Sequence, residues 1–229
     1  MKTTENVWDK LYKEKGKFFE EVQEDLPRVI RLLKERGAKR VLDLGCGSGR
    51  HTVYLAKQGF NVYGIDNSKS GIEITKNWLK KEGLKANLKI GDIYKNLPYP
   101  DDFFDAIIST QTLHHERLKK IRKLIKEMER ILKPEGVIFV TVRRALRARG
   151  WEKNKIVIHR WKHIRVKYKI IGWRTYVPVG GDEKAEIHFN FTKDLIKKEF
   201  KNFEIPKIWL ERGHYCFLGF LKNKKVAKI

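Results

Sequence analysis

Residues 41–49 have the sequence Val41-Leu42-Asp43-Leu44-Gly45-Cys46-Gly47-Ser48-Gly49. The beginning of this stretch is mostly apolar, which is typical of a short buried strand. Glycine then occupies every second position, and Gly45 and Gly47 allow the backbone to turn tightly and to approach a ligand closely. In an open parallel α/β sheet, ligands bind where a strand ends and the next helix begins. We therefore predict a ligand-binding loop at this point of the chain.

Strand and helix patterns alternate on both sides of this loop. Apolar residues at helical spacing, including Trp8, Leu11, Phe18 and Phe19, predict helices within 8–37. Further patterns predict strands at 39–44, 61–66, 87–91, 104–109 and 137–142, helices at 50–58, 68–82, 118–132 and 192–200, and a closing hairpin of strands at 203–210 and 214–221. Such alternation indicates parallel strands joined by helical crossovers. We therefore expect an α/β fold with a doubly wound, mostly parallel, seven-stranded sheet whose last strand is antiparallel.

Length and composition exclude several classes of protein. The 229 residues suffice for a sizeable core, and two cysteines exclude a disulfide scaffold or a cysteine-rich zinc site. No apolar run approaches the roughly 18 residues that a membrane span needs, and the first residues lack the apolar core of a signal peptide. We therefore expect a single domain over 1–229, a monomer located in the cytoplasm, and neither a metal nor a membrane partner.

The net charge is the most informative property of the composition. Lys and Arg number 51 against 28 Asp and Glu, which gives a net charge of +23. Abundant Lys, Glu and Ile with few Gln are typical of thermophilic proteins, but thermophily adds charges of both signs. An excess of one sign favours a polyanionic partner, and nucleic acid is the first candidate. The alternative is a basic surface that serves only solubility.

The ligand of the glycine loop is indicated by the spacing of its glycines. A dinucleotide-binding fingerprint would need a third glycine at the position of Arg50. The loop instead resembles the first motif of class I S-adenosylmethionine-dependent methyltransferases, Asp/Glu-x-Gly-x-Gly-x-Gly. The resemblance covers 35–142 closely and 187–221 in outline, and it is strongest to the group that contains the ubiquinone-biosynthesis methyltransferases. It implies a Rossmann-like methyltransferase fold and S-adenosylmethionine as the cofactor.

The resemblance also implies roles for particular residues. An acidic residue at the end of the second strand, here Asp66, would bind the two ribose hydroxyls, and Asp92 and Ile93 would contact the adenine. The residues assigned in this way to the cofactor are Asp43, Gly45, Cys46, Gly47, Gly49, Asp66, Asn67, Asp92, Ile93 and Ser109. Two alternatives remain open, since Asp43 can hold the loop through backbone N–H groups and Asp92 can be a turn residue.

The segment after the fourth strand, residues 109–115, lies beside the transferred methyl group in this family. Relatives that methylate base amino groups often carry Asn/Asp-Pro-Pro-Tyr/Phe here, whereas this chain does not. Its amide and hydroxyl groups can hydrogen-bond a base edge, and its histidines can act as a general base or simply pack. The catalytic candidates are therefore Gln111, Thr112, His114 and His115. Neither cysteine lies in a catalytic motif, which disfavours methylation of a pyrimidine carbon.

The domain divides into helices at 1–37, a cofactor-binding half at 38–142, and a closing helix and hairpin at 191–229. A basic and aromatic insert is predicted between the last two parts. Residues 143–174 of the insert, 143–190, contain twelve Lys or Arg and a single acidic residue. Basic side chains neutralise phosphates and aromatic rings stack on bases. The substrate-binding candidates are Arg143, Arg144, Arg160, Trp161, Lys162, Arg165 and Trp173. The alternative is an amphipathic strand whose aromatic residues, among them Tyr168 and Tyr176, belong to the core.

We therefore predict an S-adenosylmethionine-dependent methyltransferase that acts on structured RNA. The RNA would be rRNA or tRNA, and the target a base amino group or a wobble-uridine side chain, since 187–221 loosely resembles tRNA wobble-uridine carboxymethyl methyltransferases. The first alternative is a small-molecule methyltransferase that modifies a quinone or another metabolite. The second is a non-catalytic RNA-binding protein that retains the fold.

Overall fold

The structure is a computed structural model that describes residues 6–17, 20–144, 150–161 and 164–223, with the backbone alone at 159–161 and 164. The helices are α1 Val7–Lys15, α2 Leu26–Glu35, α3 Arg50–Lys57, α4 Lys69–Lys81, α5 Leu118–Ile131 and α6 Lys193–Glu199. The strands are β1 Arg40–Leu44, β2 Asn61–Asp66, β3 Asn87–Ile90, β4 Phe104–Thr110, β5 Leu132–Arg143, β6 Ile156–Trp161, β7 Ile164–Gly172, β8 Thr175–Pro178, β9 His188–Phe189, β10 Phe203–Glu204, β11 Ile208–Glu211 and β12 His214–Leu221. The predicted helical positions Phe18 and Phe19 lie outside the described ranges.

The main sheet has the strand order β10-β12-β5-β4-β1-β2-β3. Strands β1 to β5 are parallel to their neighbours, and β12 runs antiparallel to β5 with His214 opposite Arg143. The predicted mostly parallel α/β sheet with an antiparallel last strand is thereby confirmed. The sheet has eight strands instead of seven because the expected strand 203–210 is interrupted. Its two pieces, β10 and β11, flank Pro206, which has no N–H to donate to β12.

The sheet is covered on both faces, as a parallel sheet requires. Side chains of β1 alternate between the two faces. Leu42 and Leu44 belong to the apolar cluster that includes Ile121 and Leu124 of α5, whereas Val41 packs in the second cluster with Leu33 of α2. The glycine loop that follows β1 is therefore anchored between two buried layers.

Polar residues fix where the helices begin. The Ser68 hydroxyl accepts a hydrogen bond from the Gly71 N–H at the start of α4, and the Thr192 hydroxyl accepts one from the Leu195 N–H at the start of α6. Asn6 does the same for α1 by accepting from the Trp8 N–H. Asp9 of α1 is hydrogen-bonded to Ser68 and Ser70 at the start of α4, and this attachment holds Tyr12 beside the glycine loop.

A second sheet lies within the basic insert. For this segment the sequence patterns predicted one strand and no regular alternation of helices and strands. Strands β6, β7, β8 and β9 form it in that order, and every pair is antiparallel. The N–H of Phe189 in β9 donates to the carbonyl of His114, with 2.8 Å between nitrogen and oxygen. This bond ties the second sheet to the segment that follows β4, so residues from distant parts of the chain meet at one edge of the main sheet.

Candidate active site

A cavity of about 540 Å³ lies at the ends of β1, β2 and β4. Its walls come from the glycine loop, the start of α1, the segment after β4 and residues 185–187. This volume lies in the range of sites that bind small molecules and cofactors. Its position matches the ligand site predicted from the order of strands and helices.

Close packing explains the glycines of the loop. Gly45 has a φ of 77°, and a Cβ there would lie 2.1 Å from Cγ2 of Thr112. Gly47 has a φ of 52°, and a Cβ there would lie 2.3 Å from the hydroxyl oxygen of Tyr12. Both conformations lie in the left-handed region, which only glycine adopts without strain. The loop therefore lets backbone atoms line the cavity directly.

Asp66 ends β2 at the wall of the cavity. One carboxylate oxygen accepts a hydrogen bond from the Gly47 N–H and the other from the Ser68 N–H, each at 2.8 Å. Burial raises the pKa of Asp66, and these backbone hydrogen bonds oppose that rise. Each oxygen has a further lone pair, so the carboxylate can bind hydroxyl groups while it holds the loop. Its neighbour Asn67 also lines the cavity.

Asp92 and Ile93 line the same cavity after β3. The carboxylate of Asp92 accepts a hydrogen bond from the Tyr94 N–H at 2.9 Å, the pattern of an Asp at a turn. The side chain of Ile93 is buried against the apolar core. Asp92 therefore has the turn role that was left open, and it is also exposed to a ligand.

Three residues assigned to the cofactor do not line the cavity. Asp43 is fully buried, where it accepts a hydrogen bond from the Thr52 hydroxyl at 2.6 Å, and burial raises its pKa to about 6. Gly49 precedes α3 with a φ of 91°. The hydroxyl of Ser109 donates to the carbonyl of Leu44. These residues support the loop from behind.

The segment after β4 forms the wall at the predicted methyl-acceptor end. Gln111, Thr112 and His115 line the cavity, whereas His114 is buried behind them. Gln111 has a φ of 56°, a strained value for a residue with a side chain. Its N–H is held by the hydroxyl of Thr141 at 2.8 Å. The main chain thus fixes the position of Gln111 beside the cavity.

Helix α1 contributes residues that the sequence patterns assigned only to helix packing. Trp8 and Tyr12 line the cavity, and the Trp8 ring meets the His115 ring edge to face at 5.3 Å. Burial raises the pKa of Tyr12 well above its usual range. Helical spacing predicts an apolar face, but it does not reveal whether that face covers a core or a ligand.

Glu186 also lines the cavity and was not predicted either. Burial raises its pKa to about 7, and the carboxylate of Glu183 contributes to the rise. One of its oxygens lies 3.8 Å from Nδ1 of His115. A carboxyl group and an imidazole therefore face each other where the methyl acceptor is predicted to bind.

His51 lines the cavity at the start of α3 and has a defined protonation state. Its Nε2 accepts a hydrogen bond from the Gln23 N–H at 3.1 Å, so the proton of the neutral ring is on Nδ1. Nδ1 then donates to the Thr110 hydroxyl at 3.0 Å. Burial lowers the pKa of His51 well below its usual range. This histidine is thus neutral and fully engaged.

A cluster of three histidines lies directly behind the acceptor end of the cavity. One nitrogen from each of His114, His115 and His188 lies within 4.8 Å of the other two. Burial, with smaller contributions from neighbouring charged groups, lowers the pKa of each ring. This cluster could not be predicted from the sequence, because His188 is distant in the chain and reaches the other two histidines only through the second sheet.

The substrate-binding candidates are dispersed. Arg143 lies on the inner side of the second sheet, where it interacts with Tyr168 and Tyr176. Arg144, Arg165 and Trp173 are exposed. The side chains of Arg160 and Trp161, and the whole of Lys162, lie outside the described part of the chain. Tyr168 and Tyr176 are buried, in agreement with the core alternative, so these two rings are not available to stack on bases.

Comparison with known proteins identifies the family. The family model described as "Methyltransferase domain" matches residues 42–140. The chain is 28% identical over 140 residues to ribosomal RNA small subunit methyltransferase C of Alcanivorax borkumensis, which covers 60% of this chain and 41% of that protein. It is 30% identical over 174 residues to EEF1A lysine methyltransferase 2 of Danio rerio, which covers 67% of this chain and 72% of that protein.

A solved structure supports the same fold. The S-adenosylmethionine-dependent methyltransferase from Clostridium acetobutylicum superposes with a TM-score of 0.67 at 18% identity, covering 95% of this chain and 100% of that one.

The chain belongs to the S-adenosylmethionine-dependent methyltransferases and uses S-adenosylmethionine as its cofactor. It spans less than half the length of the ribosomal RNA enzyme. Within the described ranges, none of the helices combines the length and apolarity needed to cross a bilayer.

The cavity fits this cofactor. Gly45 and Gly47 line it with backbone atoms, and the carboxylate of Asp66 faces the same space. Ile93 adds an apolar surface. The cofactor supplies a reactive methyl group on a sulfonium, so the remaining task of the protein is to align an acceptor atom with it. Which cofactor atoms each residue contacts remains a prediction.

Proposed function

We propose that this methyltransferase modifies a nucleotide of structured RNA, either ribosomal or transfer RNA. The observation that carries the proposal is the outer face of the second sheet. Arg165, Lys167 and Lys169 of β7 are exposed on this face, while Tyr168 and Ile170 between and beside them are buried. A row of cations along one strand suits a phosphate backbone.

Apolar side chains accompany this basic row. Ile156 and Ile158 of β6 are 51% and 57% exposed, and they pair in register with Lys169 and Lys167. Trp173 is 56% exposed at the turn between β7 and β8. Apolar and aromatic groups beside cations favour contact with sugars and unstacked bases. We name the outer-face residues Ile156, Ile158, Arg165, Lys167, Lys169 and Trp173 the basic face.

The route from the basic face to the cavity leads around an edge of the second sheet. The inner side of that sheet is occupied by Tyr176, whose ring stacks on His188 at 5.1 Å. An RNA on the outer side would therefore extend its target nucleotide past the edge and into the cavity, as base-modifying enzymes require. In the cavity, Gln111 and Thr112 offer an amide and a hydroxyl for the base edge. The relative named as a ribosomal RNA methyltransferase supports the same substrate class.

A small metabolite is the second candidate, and the enclosure of the cavity favours it. Trp8, Glu186 and Ile187 all line the cavity, and Trp8 and Glu186 both lie beside His115. The Trp8 side chain also interacts with the carboxylate of Glu186 and lowers its pKa. A small substrate would fit without contact to the basic face.

The test is transfer of a labelled methyl group from S-adenosylmethionine into unmodified tRNA, unmodified rRNA and an RNA-free extract of small molecules. Asp66→Ala serves as the cofactor-site variant, and Asp194→Ala, at an exposed aspartate of α6 that does not line the cavity, as its matched control. We expect nuclease-sensitive label in one RNA fraction, lost with Asp66→Ala and retained with Asp194→Ala. Label confined to the extract, or no label in either RNA, would overturn the RNA proposal.

A further inference from the structure

We propose that His114, His115 and His188 form a binding site for a divalent transition metal of the zinc class. The three rings come from two separate parts of the chain, the segment after β4 and strand β9. One nitrogen from each lies within 4.8 Å of the other two. This inference revises the expectation of a protein without metal, and it does not depend on the identity of the methylated substrate.

The geometry is close to that of a three-histidine site. Two nitrogens that share a tetrahedral zinc at about 2.0–2.1 Å lie roughly 3.3 Å apart. The nitrogens now lie up to 4.8 Å apart, so ring rotations would have to close gaps of up to about 1.5 Å. The ring centroids of His114 and His115 are 4.4 Å apart, and those of His115 and His188 are 4.7 Å apart. The rings are already packed together, so little chain movement is needed.

Unsatisfied nitrogens point to a missing ligand. Within the described ranges, Nδ1 of each of the three rings is buried and has no hydrogen-bond partner. His114 and His188 are 1% and 0% exposed. A buried polar atom without a partner destabilises the fold, because it has lost its hydrogen bonds to water and gained none in the protein. Three such atoms in one place are explained if a metal accepts their lone pairs.

Carboxylates surround the cluster as a metal site requires. An oxygen of Glu183 lies 3.2 Å from Nε2 of His188, and one of Glu186 lies 3.8 Å from Nδ1 of His115. Carboxylates beside ligating histidines orient the rings and offset the charge of the metal. Arg143 is the opposing cation in this region. Glu183 and Glu186 together can supply up to two negative charges, against one positive charge on Arg143.

The site would open toward the cavity. His115 lines the cavity wall, whereas His114 and His188 lie behind it. Three protein ligands with one open position are typical of a catalytic zinc site. The open position would face the acceptor end, where a substrate oxygen or nitrogen can bind and be held beside the methyl group. The metal would thus serve to position the acceptor.

Metal binding can be measured directly on the full chain. The protein is treated with a chelator, dialysed and titrated with Co²⁺, whose visible absorption reports the number and type of ligands; Zn²⁺ is then added as a competitor. We expect one Co²⁺ per chain and its displacement by Zn²⁺. His188→Gln and His115→Gln are each expected to weaken binding at least about a hundredfold, because each removes a direct ligand.

His214→Gln is the matched control, since its ring lies 5.7 Å from that of His114 but does not belong to the group of three. We expect it to bind Co²⁺ like the unmodified protein. Circular dichroism and S-adenosylhomocysteine binding verify that each variant is folded, and His115→Gln, at the cavity wall, remains informative if His188→Gln does not fold. Failure of the unmodified chain to bind Co²⁺, unchanged binding by His115→Gln, or an equal loss with His214→Gln would overturn the proposal.

Discussion

Gln111 combines backbone strain with a place at the cavity wall. Its φ of 56° is held by hydrogen bonds from its N–H to the hydroxyl and carbonyl of Thr141, at 2.8 and 3.2 Å. A non-glycine residue in this conformation costs about 1–2 kcal/mol. Strain of this size persists at functional sites when the surrounding structure enforces it. We infer that the strain positions the Gln111 amide for the methyl acceptor.

Replacing Gln111 by glycine should separate stability from activity. Gln111→Gly relieves the strain, so we expect the free energy of unfolding in urea to rise by about 1 kcal/mol. The same change removes the amide, and we expect kcat/KM for methyl transfer to fall by about 10- to 100-fold because the acceptor is less well aligned. Both quantities are measured on the same preparation.

Glu135→Gly is the matched control for this pair of effects. Glu135 has a φ of 61°, is exposed, and does not line the cavity. We expect a similar gain in stability with unchanged kcat/KM. If Gln111→Gly leaves kcat/KM unchanged as well, Gln111 has no part in positioning the acceptor.

Which site residues can be predicted depends on how far apart they lie in the chain. Gly45, Gly47 and Asp66 were predictable because a short contiguous motif and the strand that follows it encode the loop. The proximity of His114 and His188 could not be predicted, because it arises only when β9 pairs within the second sheet and contacts His114. Side-chain periodicity carries no information about such long-range contacts.

At the scale of elements, helix α1 covers part of the cavity and is held in place by the carboxylate of Asp9. Asp9 accepts hydrogen bonds from the Ser68 hydroxyl and the Ser70 N–H, both at 2.8 Å, and it pairs with Lys13 at 3.0 Å. Burial raises the pKa of Asp9, but these bonds outweigh it and lower the pKa to about 2. The position of α1 at the cavity therefore depends on the ionised carboxylate of Asp9.

Asp9→Asn should therefore weaken both the fold and cofactor binding at neutral pH. We expect the dissociation constant of S-adenosylhomocysteine to rise about tenfold, a loss of about 1.4 kcal/mol, measured by calorimetry. Because the folded pKa lies below the ordinary value of 3.8, the ionised carboxylate stabilises the fold above that value and loses this effect as pH falls toward 2. The stability difference between variant and unmodified protein should narrow over the same interval.

Glu14→Gln is the matched control on the same helix. Glu14 pairs with Lys10 at 3.7 Å, and both side chains are more than half exposed. Exposed pairs of this kind contribute little, so we expect neither affinity nor stability to change. An equal loss of affinity in the two variants would mean that the net charge of the helix, and not the Asp9 contacts, governs binding.

Elements differ in how well their sequences define them. The alternation of basic and apolar residues over 159–169 predicted a single strand with one positive face. The structure divides this stretch between β6 and β7, and Arg165, Lys167 and Lys169 of β7 are exposed on one face. The same pattern did not establish whether Tyr168 and Tyr176 face RNA or the core, because alternation is identical in both cases. The break between β10 and β11 also escaped prediction, although Pro206 was a sufficient physical reason for it.

At the scale of the whole molecule, the net charge of +23 has two interpretations. A general basic surface attracts any polyanion through its total charge, whereas a binding site depends on where the charges lie. Lys167 and Lys169 belong to the basic face, whereas Lys123 and Lys126 are exposed on helix α5, which packs on the main sheet. Two variants with equal net charge therefore distinguish the interpretations.

The first double variant carries Lys167→Glu and Lys169→Glu, and the second carries Lys123→Glu and Lys126→Glu. Each variant lowers the net charge from +23 to +19, because two lysines become two glutamates. For the first pair we expect RNA affinity to fall more than about tenfold, and the dependence of log K on log salt to become shallower by about 2. For the second pair we expect a change below about threefold. Filter binding over a salt series measures both, and S-adenosylhomocysteine affinity should remain constant. Equal losses in the two variants would assign RNA attraction to total charge and leave the basic face without a specific role.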